Sequence, residues 1–141
     1  MDKRYVIGID YGTLSGRAVL MDALTGQEMA VSELAYPHAV MDKTLPGGQP
    51  LPDQFALQHP QDYLDVLSHV ISEVLAQSGI APEQVVGLGL DFTACTLVPL
   101  DEIGTPLCFN PKFADNPHAY VKLWKHHAAQ AEADEIGRAH V

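Results

Sequence analysis

Asp10, Gly12, Thr13, Ser15 and Arg17 stand close together in the stretch Tyr5–Asp22, YVIGIDYGTLSGRAVLMD. Those residue types at that spacing suit the phosphates of a nucleotide. Gly12 and Gly16 let oxygens come close to the backbone, and the N–H groups of a turn form a concave set of donors for an anion. The hydroxyls of Thr13 and Ser15 add hydrogen bonds, and the Arg17 guanidinium meets a phosphate. A lone carboxylate, Asp10, would repel phosphate unless a hard cation such as Mg²⁺ stood between them. Such a cation is held by one or two carboxylates, waters and the phosphates themselves. The same residues also make a plain tight hairpin, with Asp and Gly as turn formers and Arg17 as a surface charge, and spacing alone leaves both readings standing.

The elements that must position these residues follow from the apolar pattern. Tyr5–Ile9 and Arg17–Leu24 read as strands joined by the turn Tyr11–Gly16, and Gln27–Leu34 reads as a third strand after the turn Thr25–Gly26. Residues 36–60 are crowded with Pro and Gly and read as a long loop, of a length more often functional or mobile than filler. Pro60 opens a helix whose Tyr63, Leu67, Val70, Ile71, Val74 and Leu75 share one face, closed by Gly79. Val85–Leu90 reads as a buried strand, Leu97–Leu100 as extended and Asp101–Pro106 as a turn. Asn116 and Pro117 mark the start of a second helix running through HAYVKLWKHHAAQAEADE. This order predicts an α/β fold with a mixed sheet and a crossover helix. The hairpin turns back into a strand, and no G-x-G-x-x-G occurs, so it is not a Rossmann pattern.

The chain has 141 residues, 47% of them apolar, and a formal net charge of −10 with eight Lys and Arg. That length suits one domain or a piece of a larger one. The charge disfavours nucleic acid and anionic membrane surfaces as partners. Cys95 and Cys108 make neither a disulfide framework nor a metal pattern, and the N-terminus MDKRYVIGID is neither signal peptide nor anchor. These features predict an acidic, soluble, cytoplasmic protein.

GIDYGTLSGRAVLMD resembles the first phosphate motif of the actin/hexokinase-like ATPases, and in particular of the FGGY carbohydrate kinases, whose pattern is Asp-x-Gly-Thr-[Thr/Ser]-Ser-x-Arg. Asp10, Gly12, Thr13, Ser15 and Arg17 match, and Leu14 departs from the usual hydroxyl. The resemblance implies that these five residues bind ATP phosphates and that Asp10 supports Mg²⁺ through the metal's water shell. It implies a ribonuclease H-like mixed sheet with helices, the incomplete first domain of a two-domain kinase, over residues 1–135. Thr93, Ala94, Cys95 and Thr96 fall where glycerol kinases of the family carry Gln-Arg-Glu-Thr, which places them at the sugar site. DFTACT, YPHAVMD and NPHAYVKLWKHHAAQ resemble the family members that phosphorylate L-ribulose in L-arabinose breakdown, which makes L-ribulose and ATP the expected ligands. The resemblance leaves room for a homo-oligomer when the protein is full length. The family's catalytic base and adenosine site lie beyond this length, so the chain supplies no catalytic base and is expected to be inactive alone. A xylulokinase and a non-catalytic nucleotide-binding module are the alternatives, the first disfavoured by TACT. Ile136–Val141, IGRAHV, departs from the family's continuation and reads as a non-native tail, one that a common sequencing adapter could encode.

The remaining polar residues have plainer readings. His126 and His127, adjacent on the expected second helix, diverge by about 100° and have no Cys or His at ligand spacing, so no zinc site is expected. Tyr120, Val121 and Trp124 are expected to pack that helix on the sheet, with Lys122 and Lys125 on a solvated face. Cys95 is expected as a small buried filler, because phosphoryl transfer to a hydroxyl needs no covalent enzyme intermediate. His38 and Asp42 read equally as rim residues of a site or as structural groups.

Overall fold

In a computed structural model, which describes residues 3–138, the chain runs β1 (Tyr5–Tyr11), β2 (Ser15–Asp22), β3 (Glu28–Ala35), β4 (Leu57–Gln58), α1 (Pro60–Ser78), β5 (Val85–Phe92), β6 (Val121–Lys122) and α2 (Gln130–Arg138), with single 3₁₀ turns between. It divides into two compact units, Met1–Ala39 with Gln61–Thr93, and Val40–Pro60 with Ala94–Val141. Among the described residues no helix is long and apolar enough to cross a membrane.

The first unit holds a mixed sheet in the order β3-β2-β1-β5. β1–β2 and β2–β3 are antiparallel, and β1–β5 is parallel. Alternation along each strand turns Tyr5, Ile7 and Ile9 of β1 and Ala18 and Leu20 of β2 into one core. Against them α1 sets Val66, Val70 and Val74, a spacing that keeps all three on one helical face. Gly79 ends the helix as its pattern predicts: it adopts φ +66°, and its N–H donates to Leu75 O at 3.0 Å.

β5 is longer than expected and is not buried. Leu88, Leu90 and Phe92 are 48%, 55% and 68% exposed, because α1 packs on β1 and β2 and leaves most of the edge strand β5 uncovered. An apolar run that reads as a covered parallel strand is here paired with β1 along one edge and left open on its faces.

The second unit turns the expected long loop into ordered structure. Met41 bridges Leu57, Thr44 bridges Pro50, and β4 pairs with β6 through Leu57–Lys122 and Gln58–Val121. Met41, Leu45, Phe55, Leu57, Cys108, Ala119 and Tyr120 form its core. The second helix differs most from expectation. Asn116 does cap, accepting from the His118 N–H at 2.9 Å, but it caps only the 3₁₀ turn Pro117–Ala119. The chain then becomes β6, and α-helix begins at Gln130. Val121 and Leu123 are buried while Trp124 is 53% exposed, so this segment follows strand alternation and Trp124 does not pack a helix. His126 is not helical either; its Nδ1 accepts the Ala56 N–H at 3.2 Å. Gly137 lies inside α2 and does not break it. Of the expected tail, Ile136–Arg138 continue that helix, and residues 139–141 lie outside the described ones. Cys108 is buried, but Cys95 is exposed and holds φ +55°, so Cys95 is no core filler.

Candidate functional site

The hairpin between β1 and β2 places the motif. Asp10 pairs with Arg17 and Tyr11 with Gly16, and the chain reverses through Gly12, Thr13 and Leu14. The Gly12 N–H donates to Ser15 O at 2.9 Å, and a Cβ on Gly12 would lie 3.2 Å from that oxygen. Gly12 therefore closes the turn. Gly16 has a different reason to be glycine. A Cβ there would come within 2.4 Å of Val66 Cγ1, so its missing side chain seats the hairpin on α1 instead of admitting a ligand.

The face of the sheet opposite α1 carries the polar groups. Alternation puts Asp10 of β1 with Ser15 and Arg17 of β2 on this face. Asp91 of β5 pairs with Asp10, and Glu33 of β3 pairs with Arg17. A row of charges, Asp91, Asp10, Arg17, Glu33, thus crosses the sheet beside the hairpin. Next to it a depression of about 600 Å³ is lined by Gly8, Asp10, Arg17, Gly89 and Asp91, among others. Gly8 and Gly89 pair with each other and contribute no side chain to its floor. The Asp10 and Asp91 carboxylates stand at the C-terminal ends of parallel strands, where α/β sheets bind ligands. Two hard oxygen donors side by side on an exposed face match what Mg²⁺ accepts together with water.

The sequence-derived residues are thus partly brought together. Asp10, Ser15 and Arg17 share the open face, with Gly12 and Thr13 in the turn beside them. Ser15 Oγ, expected to face a phosphate, donates instead to Glu33 Oε1 at 2.7 Å. Thr93 closes the first unit, its N–H donating to Tyr11 O at 3.2 Å, whereas Ala94, Cys95 and Thr96 belong to the second unit. There Thr96 Oγ1 donates to Ala94 O at 3.3 Å.

Sequence reasoning missed two features of this region and left a third open. Asp91 was legible: Gly8-Ile9-Asp10 and Gly89-Leu90-Asp91 are the same pattern at two strand ends. Beneath the hairpin, the Tyr63 ring meets Tyr11 and Tyr36 edge-on at 5.6 and 5.7 Å. Burial, reinforced by Asp62, pushes the Tyr63 phenol up to about 12; burial also raises Tyr36 and Tyr11, so all three stay protonated. His38 is the third. Its Nδ1 lies 2.6 Å from Asp62 Oδ1 and its N–H donates to Asp62 Oδ2 at 3.1 Å. The fully buried Asp62 carboxylate thereby ties the chain after β3 to the first turn of α1. Asp42, its companion in the sequence reading, is exposed in the second unit.

The sheet thus carries a glycine hairpin and a pair of carboxylates together on its open face. Residues 5–137 match the model of the FGGY family of carbohydrate kinases, N-terminal domain, and the chain belongs to that family. Its sequence is 57% identical over 137 residues to a ribulokinase of Shouchella clausii, covering 96% of this chain and 24% of that one. It is 56% identical over 135 residues to a ribulokinase of Geobacillus thermodenitrificans, covering 95% and 24%. The fold is similar to that of gluconate kinase from Lactobacillus acidophilus, with a TM-score of 0.71 at 17% identity over 97% of this chain and 23% of that one. It is also similar to xylulose kinase from Rhodospirillum rubrum, with a TM-score of 0.69 at 24% identity over 98% and 24%. The chain spans about a quarter of the length of the relatives it matches.

Proposed function

We propose that this chain is the N-terminal part of a cytoplasmic, ATP-dependent ribulokinase, which converts L-ribulose to L-ribulose 5-phosphate. The observation that carries the reading is the 57% identity to a ribulokinase over 137 residues, a match that spans the hairpin and DFTACT. In this reading the turn Gly12–Ser15 and Arg17 receive the phosphates of ATP. Asp10 would hold Mg²⁺ through water, with Asp91 beside it. The bound metal would neutralise charge on the phosphates. Thr93, Ala94, Cys95 and Thr96 line the sugar site. The sugar 5-hydroxyl oxygen forms a bond to the γ-phosphorus as the bond to the bridging oxygen of ADP breaks. The hydroxyl proton passes to a base that this chain does not supply.

The test is ADP release by the full-length protein with L-ribulose and with D-xylulose. We expect turnover to be fastest with L-ribulose, and no sugar-dependent ADP from the 141-residue chain alone. Preference for D-xylulose would make it a xylulokinase, and absence of any sugar-dependent release would leave a nucleotide-binding module.

A further inference from the structure

We infer that Tyr36 is a positioning residue for the phosphate hairpin, holding two of the turn's carbonyls so that its N–H groups face the nucleotide. The inference rests on the proposed role of the hairpin. Tyr36 follows β3 directly and is 4% exposed. Its backbone N–H donates to Leu14 O at 2.9 Å, and its hydroxyl donates to Gly12 O, also at 2.9 Å. With the Gly12 N–H on Ser15 O, the carbonyls of residues 12, 14 and 15 are all engaged within the fold.

In a trans peptide the C=O and N–H point in opposite directions, and no peptide here is cis. Tyr36 belongs to the core between sheet and α1. Drawing the Gly12 carbonyl toward its phenol therefore turns the Thr13 N–H away from that core. An anion is favoured where N–H groups face it and carbonyl oxygens do not. The phenol is well placed to persist as a donor. Burial keeps it protonated, and its ring is braced edge-on against Tyr63. Phenylalanine would keep that packing and the backbone bond to Leu14, and would lose only the grip on Gly12.

The experiment uses the full-length protein with Tyr36→Phe and, separately, Arg17→Ala. Three ligands are titrated: ATP, tripolyphosphate and L-ribulose. For Tyr36→Phe we expect ATP and tripolyphosphate to bind about five- to tenfold more weakly, the scale of one hydrogen bond. The KM for L-ribulose should stay within twofold of wild type, and the melting temperature within a few degrees. A residue that only supports packing would not separate phosphate ligands from the sugar in this way. Equal loss of ATP and L-ribulose affinity, or a collapsed melting temperature, overturns the inference in favour of a general structural role. Unchanged ATP and tripolyphosphate binding in Tyr36→Phe, with weakened binding in Arg17→Ala, overturns it while the hairpin's role stands. If neither variant alters ATP binding, the hairpin reading itself falls, and the inference with it.

Discussion

Asp10 is the residue on which the chemistry of this face turns. It pairs across the hairpin with Arg17 and across the parallel ladder with Asp91, so one cation and one further carboxylate flank it. Phosphoryl transfer leaves little covalent work for a protein; positioning and charge stabilisation dominate. Removing the carboxylate should therefore act on the reaction step more than on sugar binding. In the full-length protein, Asp10→Ala is expected to lower kcat by about a hundredfold or more, with the KM for L-ribulose changed less than threefold. Steady-state kinetics at saturating Mg²⁺ check this. A normal kcat with a raised sugar KM would remove Asp10 from the phosphate end of the site.

At the level of elements, the hairpin is only as rigid as its seat on α1. Gly16 is that seat, since a Cβ would come within 2.4 Å of Val66 Cγ1. Gly16→Ala is expected to destabilise the fold by about 1–3 kcal/mol through overpacking. Val66→Ala in the same chain should recover part of the loss, and a double-mutant cycle of thermal melts measures the coupling. Additive losses would mean that the contact is relieved elsewhere. The joint between the β4 side and the segment after β6 predicts a pH dependence. Burial, with help from Lys122, His118 and His127, lowers the His126 pKa, and its neutral Nδ1 accepts the Ala56 N–H. The unfolded chain thus takes up this proton more readily than the folded one, and stability rises with pH. The contribution is complete above the ordinary histidine value of about 6.5 and is lost as pH falls through the lowered folded value. Melting temperature should decline on acidification from neutrality, and less steeply in His126→Asn, which retains an acceptor without titrating. Equal slopes would assign the acid sensitivity to other groups.

For the whole molecule, the informative feature is β5. It is the parallel edge of the sheet, and Leu88, Leu90 and Phe92 are each about half exposed or more. Strands in parallel ladders are normally covered on both faces, and an uncovered apolar edge pairs readily with another chain. The isolated chain should therefore associate as its concentration rises, despite a net charge of −10. Sedimentation velocity of the chain and of Leu90→Lys checks this, with the variant expected to remain smaller at the same concentration. A chain that stays monomeric throughout would show that β5 is not the adhesive surface.

What the sequence determined by itself is what short-range chemistry encodes. The hairpin, the helix from Pro60 to its glycine stop and the Asp–Gly–Thr–Ser–Arg motif each depend on residues within a few positions of one another. Family membership was legible for the same reason, since GIDYGTLSGRAVLMD is a contiguous pattern. What the tertiary structure alone decided depends on pairings between distant segments. NPHAYVKLWKHH carries a sound N-cap and helix-compatible residues, but β4 recruits Val121 and Lys122 into a ladder, and that pairing outweighs local propensity. The Pro- and Gly-rich stretch before α1 reads as loop because its own bridges are isolated and its ladder and core partners, Val121, Lys122, Cys108 and Tyr120, lie far along the chain. Asp91 becomes a neighbour of Asp10 only when β5 docks beside β1. Tyr36 reaches the turn only because β3 folds back along β2, which brings its hydroxyl to Gly12 O. Local patterns report which elements form, whereas the groups that meet at the site are chosen by strand order and register, which no short stretch contains.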